Sequence, residues 1–120
     1  MAAKEAHLAQ HRLFRGDGFR ESNSLPTRVE ALFLAAYQLI EACAASENVH
    51  IGKHQHVRSE LTENDRIFGV RTEAVWRGFQ ELETRVRPKF IYGTRWTDRD
   101  FETALDLFDA LERVCLEVLR

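Results

Sequence analysis

At 120 residues the chain has room for one hydrophobic core and not for two. Its 44% apolar content, with six glycines and two prolines, excludes a disordered or collagen-like chain, and no repeat of solenoid length runs through it. A net charge of −2 means that any attraction for phosphate must come from a local patch, because the overall field repels anions weakly.

The stretch MAAKEAHLAQHRLFR spreads its charges and contains no apolar core of signal-peptide length. It reads as a first helix over about residues 2–14, with Ala2, Ala6, Ala9 and Leu13 on one face, Leu8 beside them, and Gly16-Asp17-Gly18 as its breaker. His7 and His11, four residues apart, are expected to face solvent. Ser24 followed by Pro26 marks the next helix entrance, a hydroxyl cap and then a proline whose missing N–H is harmless in the first turn. The segment 26–46, PTRVEALFLAAYQLIEACAAS, is the helix around which the rest must pack. Val29, Leu32, Phe33, Ala36, Leu39, Ile40 and Cys43 recur at helical spacing, against a narrow polar strip of Glu30, Gln38 and Glu41 interrupted by Leu34. Its uncharged run is too short to cross a bilayer, so no membrane partner is expected. Cys43 and Cys115 fall on apolar faces and read as buried thiols of a reduced, cytoplasmic protein.

A short helix over 53–64 offers Val57 and Leu61 as its apolar pair, and Gly69 breaks the chain again. Thr72, Val75, Phe79, Leu82 and Val86 then predict a helix over 72–87, with Trp76 beside the stripe and a stop at Arg87, because Pro88 disfavours helical geometry in the residue before it. Tyr92-Gly93-Thr94 reads as loop, and Thr97 with Asp100 resembles a capping box. Phe101, Ala104, Phe108, Leu111, Cys115 and Val118 complete a terminal helix over 98–119. With no credible strand, the expected fold is a single all-α domain, an up-and-down bundle of four main helices plus one short helix. Leu34, Leu105, Leu107 and Val114 widen two apolar stripes beyond one neighbour's needs, which predicts a homodimer.

The order of features from Arg28 to Leu119 resembles the HEPN family, the nucleotide-binding domains of higher eukaryotes and prokaryotes. The resemblance is carried by RVEALFLAAYQLIEAC, VHIGKHQHVRSEL and FQELETRVRPKFIYG, and most specifically by Leu82, Arg87 and Tyr92 followed by Gly93. The family's ribonucleases place a His four to six residues after an Arg, to act as acid or base while the Arg holds phosphate. Here no His occurs after His56 and Tyr92 takes that place, so catalytic residues are not carried over. The resemblance implies phosphate contact at Arg87 and a packing or hydrogen-bonding role for Tyr92. It also implies a non-catalytic binder of RNA or nucleotide, as the partner subunit of a minimal nucleotidyltransferase or within a toxin–antitoxin pair.

The residues themselves offer one basic stretch, Arg85, Arg87, Lys89, Arg95 and Arg99 interleaved with Phe90, Tyr92 and Trp96, where cations suit phosphates and rings suit bases. Its structural counterpart is a set of cations facing a helix dipole and aromatics closing the core. His50, His54 and His56 form an H-x3-H-x-H cluster with no carboxylate or thiol at ligand spacing before Glu60, so neither metal nor cofactor is expected. One of these histidines is expected to cap the short helix or, as the HEPN resemblance implies, to border the binding groove, for which His50 and His54 are the candidates. Two other readings compete: a degenerate ribonuclease in which His50, His54 or His56 meets Arg87 from another segment, and a helical adaptor with no nucleic-acid ligand. Glu81 and Glu83 flank Leu82 and point to different sides, which argues against a carboxylate pair.

Overall fold

The computed structural model describes residues 2–120, and their secondary structure is entirely helical. Helix α1 spans Ala2–Gly18, α2 Leu25–Ala45, α3 Val57–Glu63, α4 Thr72–Glu81, α5 Arg87–Ile91 and α6 Asp98–Val118. Short 3-10 turns at His54–His56 and Gly69–Arg71 lead into α3 and α4, and a π-helical turn over Leu82–Val86 joins α4 to α5. No helix among the described residues is long and apolar enough to cross a membrane.

The axis of the bundle is α2, where Val29, Leu32, Phe33, Ala36, Leu39, Ile40 and Cys43 are all buried. Ser24 caps it by accepting the Thr27 N–H at 3.3 Å, with Pro26 in the first turn. Helices α1, α4, α5 and α6 pack around it, while α3 buries Val57 and Leu61 against the assembly from outside. Glu41, expected on the polar strip, is instead 2% exposed. Its Oε1 accepts the Ile51 N–H at 3.0 Å, and its Oε2 accepts the Gly52 N–H at 2.9 Å and the Tyr37 hydroxyl at 2.6 Å. The carboxylate is the hydrogen-bond anchor of the loop that follows α2, which offsets the cost of its burial.

The first helix departs from expectation in length and in face. It continues through Gly16-Asp17-Gly18, because Gly18 lies where α1 meets α2: a Cβ there would stand 2.6 Å from Leu32 Cδ2. Ala6, Ala9 and Leu13 face solvent, while His7, Leu8, His11 and Phe14 turn toward α2. His11 is 5% exposed and donates Nδ1–H to the Ala35 carbonyl at 2.9 Å; His7 Nδ1 lies 2.7 Å from Gln38 Oε1. Alanine methyls contribute little on burial, so the histidines, each with a partner on α2, set the helix's rotation.

The helical path does not stop at Arg87. Arg87 keeps helical dihedrals (φ −53, ψ −45), and its N–H bonds the Leu82 carbonyl five residues back. A proline ring in an α-helix meets the carbonyl of the preceding turn; the widened π turn removes that conflict and lets the chain run on to Ile91. Leu34, Leu105, Leu107 and Val114, the residues that suggested a dimer, are partly buried against the core of the same chain.

Candidate functional site

Phe33, fully buried on α2, is the ring on which the site is built. Phe79 of α4 stacks against it at 5.2 Å between centroids. The Arg87 guanidinium carbon lies 4.6 Å from the same centroid, a cation–π contact, and Arg87 Nε donates to both oxygens of Glu30 at 3.0 Å. The His54 ring packs edge-on to Phe33 at 5.1 Å and 83°, and to Tyr37 at 6.1 Å. His54 Nδ1 donates to Glu83 Oε2 at 2.5 Å. Glu30, Phe33 and Tyr37 share one face of α2 by their spacing of three and four, and the π turn aims Glu83 and Arg87 at that face.

Arg87 and His54, distant in sequence, therefore touch one aromatic ring, each held by its own carboxylate. Both are partly buried, with side chains 22% and 30% exposed. The Arg87 Nη groups make no hydrogen bond within the described residues, and the guanidinium is fixed by Glu30 along its Nε edge and by the Phe33 ring. Glu83 orients the imidazole through Nδ1, and Nε2 makes no hydrogen bond within the described residues. With two carboxylates present, attraction here depends on directed hydrogen bonds more than on net charge.

The basic stretch is divided. Arg85 is exposed and paired with Glu81 at 3.2 Å, and Lys89 is paired with Asp100 at 3.0 Å. Tyr92 and Arg95 are exposed, the latter beside Lys89, Gly93 and Thr94 at a shallow pocket. Trp96 is stacked on the buried Phe90 at 5.2 Å and 24°, so it closes the core instead of standing free for a base. His50 is exposed on the loop after α2 and lies with His7 and Glu41, whereas His56 faces solvent. Of the basic stretch and the histidine cluster, Phe33 gathers Arg87 and His54.

Glu30, Phe33 and Glu83 belong to the site and are not evident as such from the sequence, although Glu30–Phe33–Tyr37 follows helical spacing. A second feature follows the same helical stretch. Arg58 of α3 lies 4.3 Å over the Trp76 ring and Arg77 5.3 Å from it, at a cavity of about 470 Å³ also lined by Gln80 and Thr84. Comparison of the chain with family models, with curated proteins and with solved structures finds no match.

Proposed function

We propose that this protein binds RNA, or a nucleotide through its phosphate, at the Arg87–His54 site without cleaving it, which is the function the HEPN resemblance implies. The observation that supports this reading is the Arg87 guanidinium, anchored by Glu30 over Phe33 with its Nη edge unengaged. A phosphate there accepts from the Nη groups and from His54 Nε2–H when the imidazole is protonated. The Trp76 groove, with Arg58 and Arg77 stacked on the indole, provides guanidinium planes and further cations for the adjacent nucleotides.

The test is a mobility-shift series with labelled single-stranded RNA in chelator-treated buffer across rising salt. Wild type should shift intact RNA with affinity that falls as salt rises. Arg87→Lys keeps the charge and removes the planar fork, and it should weaken binding about tenfold; unchanged binding overturns the assignment. A second reading draws on the His54–Glu83 pair beside Arg87, the geometry of an oriented base next to a phosphate-holding cation. It predicts RNA fragments in the same gel that vanish in His54→Ala.

A further inference from the structure

We infer that His7, Glu41 and His50 form a binding site for a divalent transition-metal ion of the zinc class. One ligand atom from each of the three lies within 4.8 Å of the others. They come from three places that only the fold unites: α1, the C-terminal half of α2 and the loop after it. Two imidazoles and a carboxylate are the donor set of borderline ions that accept nitrogen and oxygen together.

Three features of the surroundings suit a metal better than a chance cluster. His7 has its Nδ1 tied to Gln38 Oε1 at 2.7 Å, which makes Nδ1 the donor and leaves Nε2 with the lone pair that a metal needs. A hydrogen-bond acceptor behind a ligating imidazole is the usual support of such ligands. Glu41 is buried and fixed by two backbone N–H groups and the Tyr37 hydroxyl, yet Oε1 accepts only one of these three bonds and keeps a lone pair. A cavity of about 230 Å³ adjoins the group, lined by His7, Ala45, Asn48, Val49 and His50, with room for water to complete the coordination.

The loop is shaped for this approach. Asn48 has φ 58 and Gly52 φ 87, left-handed positions at the two sides of His50 that double the chain back over the end of α2. Metal–ligand bonds of about 2.0–2.2 Å bring neighbouring donors to within roughly 3.5 Å of one another. Glu41 stays where its donors hold it, and both imidazoles close that gap by side-chain rotation: His50 is exposed, and His7 is half-buried and moves together with its partner Gln38. Bound metal ties α1 to the α2–α3 loop.

Titration of the full-length, chelator-stripped protein with Co2+ tests the site, by calorimetry for stoichiometry and by visible absorption for coordination. One ion per chain is expected, with displacement by Zn2+ and a rise in melting temperature. His50→Ala alters an exposed side chain and should weaken binding at least about tenfold, as should Gln38→Ala through the loss of the His7 anchor; His56→Ala should leave binding unchanged. No binding by wild type, or binding that survives in both His7→Ala and His50→Ala, overturns the site.

Discussion

Arg87 and Glu41 show how side chains that look alike in a sequence acquire different work from their partners. Arg85, Arg87 and Lys89 share charge and neighbourhood, yet Arg85 and Lys89 sit in solvent-screened ion pairs that contribute little to stability. Arg87 is seated on an aromatic ring with a carboxylate along its Nε edge. Glu41 is buried with three donors, so Glu41→Ala strands the Ile51 and Gly52 N–H groups and the Tyr37 hydroxyl together. That substitution should destabilise the fold by about 3–5 kcal/mol, within the range for breaking a buried charged network. Tyr37→Phe removes one donor to the carboxylate and should cost about 1.5–3 kcal/mol. Urea melts of the two variants check both values, and a loss below 1 kcal/mol for Glu41→Ala would refute the anchoring role.

Among the elements, the termini of α6 and α1 carry the clearest predictions. Thr97 Oγ1 accepts the Asp100 N–H at 3.3 Å and Asp100 Oδ2 accepts the Thr97 N–H at 2.9 Å, so both halves of the capping box are present. The Thr97 backbone bond, assisted by Lys89, holds the Asp100 carboxyl below its usual range. A depressed folded-state value means that the contribution is complete above the unfolded-state pKa and is lost as pH falls through the folded one. Asp100→Asn should therefore lower the melting temperature at pH 7 and leave the difference from wild type smaller near pH 2. Gly18→Ala places a methyl against the buried Leu32 and should cost about 1–3 kcal/mol by overpacking. The helices α2 and α6 were legible because capping residues and apolar spacing agree there. The exit of α1 and the passage through Pro88 were not: a glycine serving close packing and a proline absorbed by a π turn look like breakers until the neighbouring helix is in place.

For the whole molecule, the all-α bundle follows from five apolar stripes and no strand signal, while the site depends on contacts between segments far apart in the chain. Arg87 and His54 were each legible as candidates. Their meeting at Phe33 was not, because it depends on the turn before α3 and the widened turn after α4. The likeness of His50 and His54 in the sequence also dissolves, one turning to Phe33 and the other to Glu41. The measurement that tests the central claim most directly is a side-chain NMR titration with short single-stranded RNA, following the five histidine rings and the Arg87 Nε–H. The His54 and Arg87 signals should move together and saturate, while those of His50 and His56 stay in place. Saturable RNA binding that leaves His54 and Arg87 unmoved would contradict the assignment of this site.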